Sequence, residues 1–290
     1  MFQHALLPTD LTSSAQILAS CLNGFRRLGL RKVTLVHVVN VASSDRKQTD
    51  IGKREEQLEE QKDLVAKQGF ESRAEIRVGL PAVEISRSAR EHGASFILLN
   101  AREYSPVCDI PLGSVAAEAL QQSTIPILLI NFNMEEEGHD RQCAAACNNL
   151  LGHILCATDF SPSSDRALSF LEKLVESGNR KISLLHVQDK ERIEPYLKDK
   201  LDDFNKTDRE RLENDKNRLS RKGASEVHVD ILYGSPKQEI QSRCEQNGVS
   251  LIVLGKGGRG SLDDTSLGSV SQFVIRRTHR PVLLVPESSE

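Results

Sequence analysis

The sequence predicts an α/β protein: two tandem copies of a five-stranded, parallel-sheet, open (Rossmann-like) domain with helices on both faces. Three observations predict it. Blocks recur in the same order: "HALLPTDLTSSA" (4–15) returns as "HILCATDFSPSSD" (153–165), and "TLVHVV" (34–39) as "SLLHVQ" (183–188). "GLPAVEI" (79–85) likewise returns as "GSPKQEI" (234–240), and "LGSV" (112–115) as "LGSV" (267–270). Such self-similarity marks a duplicated fold. Within each copy, short apolar runs alternate with segments of helical period, the signature of a parallel sheet with helical crossovers. Finally, 290 residues suffice for two cores of ordinary size. The expected boundaries are 1–132 for the first copy, 133–149 for a linker carrying Glu135-Glu136-Glu137 and Gly138, and 150–290 for the second copy.

The second copy gives the clearest element order. The run "HILCAT" ends in Thr158-Asp159, and a helix follows with Ser161 as N-cap and Pro162 at its first position. Ala167, Leu168, Leu171, Leu174 and Val175 fall on one face of that helix. "ISLLHV" is a strand. A long charged helix comes next, with sparse apolar positions at Leu197, Leu201, Phe204, Leu212 and Leu219. "EVHVDILYG" alternates as a strand, "PKQEIQSRCEQNG" reads as helix and "SLIVLG" as strand. A glycine loop then leads into a helix over 268–278, and "PVLLVP" closes the copy.

Composition excludes several functions. With 38 Lys+Arg against 41 Asp+Glu the net charge is −3, so no global basic field recruits nucleic acid. Aromatic residues make up 4% and tryptophan is absent, which leaves no platform for stacking single-stranded bases. No apolar run reaches the ~18 residues of a membrane span, and no charged segment precedes Ala5–Pro8 to form a signal peptide. A cytoplasmic location is expected. The six cysteines, at 21, 108, 143, 147, 156 and 244, lack a framework spacing and read as reduced thiols.

The functional signal is "LGKGGRGSLDDTSLGSVS" (254–271). Glycine costs roughly 0.5–1 kcal/mol relative to alanine in a regular element. Four glycines just after a buried strand therefore imply a loop that needs positive φ or close approach. Gly255 and Gly258 let backbone amides face an anion, and Gly268-Ser269 opens a helix whose free amides face the same way. The spacing G-x2-G-x9-G-S is neither a Walker A motif nor a dinucleotide fingerprint. In an open parallel sheet, ligands lie outside the carboxyl ends of the strands. Asp159, Val187, Gly234 and the 255–269 loop all fall there.

This ordered set resembles the universal stress protein family: Thr-Asp after the first strand, "LLHV" in the second, "GxPxxEI" after the third and the glycine loop after the fourth. The resemblance covers nearly the whole chain, twice. It implies a stress-response or sensor protein that binds adenine nucleotide, ATP or AMP, with magnesium accompanying ATP. By the resemblance, Asp159 holds ribose or adenine, and the backbone around Ala157 and Val187 meets the adenine. Leu254 and Gly255 floor the pocket, and Gly258, Gly268, Ser269, Val270 and Ser271 bind phosphates. Thr158, Gly234, Lys256 and Gly257 belong to the same expected site. Each has a plainer reading: Asp159 as a turn residue, Val187 and His186 as strand-end packing, Gly234 as the turn before Pro236.

The first copy departs from the motif. The positions aligned with Gly255 and Gly258 are Asn100 and Glu103, although Gly113-Ser114 keeps the spacing. A carboxylate about 5 Å from a phosphate, at an effective dielectric of ~20, repels it by about 3 kcal/mol. Phosphate binding is therefore expected in the second copy alone. Asp10 remains, so an adenosine-like pocket without phosphate selectivity is compatible with the first copy.

No catalytic residue is expected, because no Ser/His/Asp set and neither an SGGxDS nor an HxGH motif occurs. A slow ATPase or nucleotidyl-transferring enzyme is the alternative class. Asp263-Asp264 could meet a divalent cation beside phosphate or simply be exposed. His139, Cys143 and Cys147 share a helical face, but three donors without a fourth make an incidental linker helix the better reading than zinc. The family resemblance also implies pairing through the final strands, 125–130 and 280–285. A tandem chain could pair its own copies as a pseudo-dimer, which leaves room for a homodimer of chains.

Overall fold

The computed structural model describes residues 2–40, 51–100, 113–131, 139–176, 180–194, 197–245, 248–259 and 267–287. The chain divides into two compact units, Met1–Asn149 and Leu150–Glu290.

In the first unit the order is β1 (His4–Pro8), α1 (Ser13–Ser20), a 3-10 segment (Leu22–Leu28), β2 (Lys32–Asn40), α2 (Ile51–Lys67) and β3 (Glu71–Gly79). It continues with α3 (Pro81–Glu91), β4 (Phe96–Asn100), α4 (Ser114–Gln122), β5 (Ile127–Ile130) and α5 (His139–Asn148). The strands lie in the order β3-β2-β1-β4-β5, all pairs parallel. Right-handed crossovers running outward from β1 in opposite directions put α1 and α2 on one face and α3 and α4 on the other. The helices touch accordingly, α1 with α2 and α3 with α4.

The second unit repeats this plan. β6 (His153–Thr158), α6 (Pro162–Val175), β7 (Lys181–Asp189), α7 (Lys190–Ile193) and α8 (Leu201–Arg221) come first. β8 (Glu226–Gly234), α9 (Pro236–Glu245), β9 (Leu251–Gly255), α10 (Ser269–Arg277) and β10 (Val282–Val285) follow, in the parallel order β8-β7-β6-β9-β10. Strands covered on both faces read as unbroken apolar runs. Leu251–Leu254 and Val282–Val285 are accordingly buried throughout, whereas the outer strands β3 and β8 are mostly half-exposed. Ser161 caps α6 as expected, its hydroxyl accepting from the Ser164 amide at 3.3 Å, with Pro162 in the first turn.

Two features were not evident in the sequence: the short α7, and the docking of the expected linker helix within the first unit. The short α7 precedes α8. Residues 139–148 of the expected linker form α5, which packs on the 3-10 segment within the first unit. That packing is backbone against backbone, because a Cβ on Gly24 would lie 2.3 Å from the Cys147 carbonyl oxygen and 2.8 Å from the Asn148 nitrogen. Overpacking of this kind costs about 1–3 kcal/mol. Gly24→Ala is therefore expected to lower the thermal midpoint of the first unit by several degrees. An unchanged midpoint in a calorimetric melt would refute the close approach.

Candidate functional site

The site begins with a turn present in both units. After β6, the Thr158 hydroxyl accepts from the Phe160 amide at 3.0 Å, and Asp159 Oδ1 accepts from the Ser161 amide at 3.1 Å. After β1, Thr9 accepts from the Leu11 amide and Asp10 from the Thr12 amide, each at 3.0 Å. The residue between these bonds is left-handed in both, Leu11 at φ 65° and Phe160 at φ 58°. A bulky side chain there costs roughly 1–2 kcal/mol, and the paired side-chain bonds offset it. The strained turn sets the aspartate at the carboxyl edge of the sheet.

In the second unit Asp159 also anchors the glycine loop. Its Oδ2 accepts from the Arg259 amide at 2.9 Å, and a Cβ on Gly258 would stand 2.9 Å from the same oxygen. Burial opposes ionisation of Asp159, but the Ser161 and Arg259 donors outweigh it and hold the carboxyl below its ordinary range. A lowered carboxyl stabilises the fold above the unfolded value of about 3.9 and loses that contribution as pH falls through the folded value. The anchor is therefore intact at neutral pH.

The loop itself is fixed from behind. The Lys256 amide donates to the Val285 carbonyl at 2.7 Å, and the Gly257 amide donates to the Ser163 hydroxyl at 3.1 Å. The Gly268 amide donates to the Lys256 carbonyl at 2.8 Å, and the Ser271 hydroxyl donates to the Gly255 carbonyl at 2.8 Å. Gly268 is the N-cap of α10 and supplies no side-chain cap. The first-turn amides of Ser269, Val270 and Ser271 therefore have no intrahelical acceptor and carry the positive end of the helix dipole.

These elements enclose a cavity of about 770 Å³ at the carboxyl ends of β6, β7 and β9, within the size range of small-molecule sites. Of the residues expected from the sequence, Ala157, Thr158, Asp159, Val187, Leu254, Gly255, Gly257, Gly258, Gly268, Ser269, Val270 and Ser271 line it. Two do not. Lys256 is 3% exposed and serves through its backbone, while burial pushes its ammonium down. Gly234 sits where a Cβ would meet Glu239 Oε1 at 2.8 Å, as Gly79 does with the Glu84 side chain in the first unit, which is the plainer turn role. The Gly268 amide is likewise committed to the fold through its bond to the Lys256 carbonyl. Asp263-Asp264 lie outside the described residues.

The far wall comes from α7 and α8, which the motif did not reveal. Ile193, Phe204, Thr207, Asp208 and Arg211 line the cavity there. Arg211 and Arg259 both lie over the Phe160 ring, 5.1 and 5.8 Å from its centroid, setting two cations at the mouth. His186 donates from Nδ1 to the Thr158 carbonyl at 2.7 Å, and its Nε2 faces Asp208 Oδ2 at 3.4 Å. Burial keeps this histidine below its ordinary value, despite the Thr158 carbonyl and Asp208.

The first unit is built otherwise at the same place. His37 makes the matching bond to the Thr9 carbonyl at 2.9 Å, but its Nε2 accepts from Arg54 of α2 at 2.6 Å. Gln61 of α2 accepts from the Thr9 hydroxyl at 2.7 Å. The cavity at these strand ends is about 200 Å³. Glu103 lies outside the described residues.

Comparison with known proteins now decides the family. The profile of the universal stress protein family matches residues 1–131 and again 151–286. The chain belongs to the universal stress protein family. Universal stress protein MJ0577 of Methanocaldococcus jannaschii is 30% identical over 154 residues, covering 46% of this chain and 93% of its own. Universal stress protein YxiE of Bacillus subtilis is 30% identical over 150 residues, covering 47% of this chain and 99% of its own. A solved universal stress protein from Archaeoglobus fulgidus is similar over 99% of both chains, with a TM-score of 0.77 and 28% identity. This chain is thus a tandem universal stress protein, and among its described residues no helix is long and apolar enough to cross a membrane.

Proposed function

We propose that this universal stress protein binds one adenine nucleotide, ATP or AMP, in its second unit and acts as a stress-response sensor through that occupancy. The observation that carries the reading is the 770 Å³ cavity that joins an apolar wall to the uncapped start of α10. Ala157, Val187 and Leu254 offer the apolar surface for adenine. Asp159 is ionised at neutral pH and accepts hydrogen bonds, which suits ribose hydroxyls. Gly258 and the amides of Ser269, Val270 and Ser271 are suited to phosphate oxygens, assisted by the Ser269 hydroxyl. Arg211 and Arg259 add positive charge at the mouth.

Binding without turnover is the expected behaviour. Asp159 is held low by donors, and His186 is buried with Nδ1 on a backbone carbonyl and Nε2 turned to Asp208, so neither offers a free base to a nucleotide. The experiment is to denature freshly purified protein and identify the released small molecule, then to assay ATP hydrolysis. An adenine nucleotide released, with turnover far below about 1 s⁻¹, supports the reading. Turnover above about 1 s⁻¹, the low end of ordinary enzymes, would replace it with an ATPase.

A further inference from the structure

Three of the five described cysteines meet at one point of the first unit. Cys21 lies between α1 and the 3-10 segment, and Cys143 and Cys147 lie one turn apart on α5, hence on one face of it. The three side chains are neighbours, Cys21 of both partners and Cys143 of Cys147. Gly24 enables this convergence by letting the end of α5 settle on the 3-10 backbone. All described cysteines are reduced. Cys143 and Cys147 are fully covered, whereas Cys21 retains 9% exposure and is the least buried of the three.

We propose that Cys21, Cys143 and Cys147 form a peroxide-oxidisable thiol cluster, in which a disulfide from Cys21 to a cysteine of α5 staples that helix to the 3-10 segment. Hydrogen peroxide supplies the oxidising equivalents. The Cys21 thiolate attacks one peroxide oxygen, giving a sulfenic acid and, with a proton, one water. The thiol of Cys147 or Cys143 then displaces hydroxide from the sulfenic sulfur, forming the S–S bond and releasing a second water. Two thiols lose two electrons and two protons in total, and one peroxide is reduced to two waters. A dithiol reductant reverses the step. The third thiol, in contact with both ends, lets the bridge exchange between the two α5 positions.

The local chemistry assists this order of events. Cys21 is the least buried of the three, and the neighbouring thiols lower it and favour its thiolate. Thiolate character and access govern which cysteine reacts first. The other two described cysteines are built-in controls, since burial pushes Cys156 and Cys244 up to about 12.

The full chain, freshly reduced, is treated with hydrogen peroxide, alkylated and mapped by mass spectrometry. The expected result is an intramolecular loss of about 2 Da, a cross-linked peptide joining Cys21 to Cys147 or Cys143, and full reversal by dithiothreitol. Cys21→Ser is expected to abolish the loss. Cys143→Ser should route the bridge to Cys147, and Cys147→Ser should route it to Cys143. If Cys21→Ser fails to fold, the wild-type peptide map decides alone. Complete recovery of all thiols, oxidation that stops at sulfinic or sulfonic acid, or a bridge that excludes Cys21 would overturn the proposal. So would zinc added to the reduced chain that stays bound in native mass spectrometry and protects all three thiols.

Discussion

Gly258→Glu is expected to weaken adenine-nucleotide binding at least a hundredfold while leaving the fold intact. The position faces Asp159, whose Oδ2 would lie 2.9 Å from any added Cβ. A glutamate there also brings a second carboxylate towards the expected phosphate position. One such charge pair at about 5 Å, with an effective dielectric of ~20, is worth about 3 kcal/mol, and steric loss of the backbone approach adds to it. The clash involves the far end of a side chain on a half-buried loop, so the nucleotide-free melting curve should move little. Titration calorimetry reads the effect, and unchanged affinity would remove the glycine loop from the site.

Gly255→Val is expected to damage stability as well as binding. A Cβ at this position would meet Ser163 Oγ at 2.6 Å and the Ser163 backbone carbon and oxygen at 2.8 and 2.9 Å. Here the neighbour is the first turn of α6, and backbone cannot yield as a side-chain tip does. Forcing β9 and α6 apart also strains the bonds from the Gly257 amide to Ser163 and from Ser271 to the Gly255 carbonyl. Overpacking typically costs 1–3 kcal/mol, and the upper end, about 3 kcal/mol, applies here. For a unit of this size that is a fall of roughly 10 °C in the melting midpoint. Asn100 occupies the aligned position in the first unit, where the shorter α1 makes far less contact with β4 than α6 makes with β9. A midpoint unchanged in Gly255→Val would contradict this close packing.

Much of this was legible because the relevant signals are local. The alternation of apolar runs and helical segments marked a parallel sheet with helices on both faces, while the strand order emerged only from the structure. Ser161 and Pro162 announced the start of α6, and the Thr-Asp turn and glycine loop of the second unit marked the strand ends that line the cavity. Features that depend on distant residues were hidden. Nothing in the motif says that the Gly268 amide is spent on the Lys256 carbonyl, or that Gly234 turns against Glu239. Phe204 was visible as an apolar position of α8, but its place on the cavity wall follows only from how α8 crosses the sheet. Cys143 and Cys147 were visible as a helical pair, whereas Cys21 joins them through packing alone.

The most direct test of the asymmetry between the units is the stoichiometry of ATP and AMP binding to the full chain by titration calorimetry. The expected result is one equivalent per chain, with affinity that depends on phosphate and is lost in Gly258→Glu. Two equivalents of equal, phosphate-dependent affinity, or no binding by the nucleotide-free chain, would contradict it.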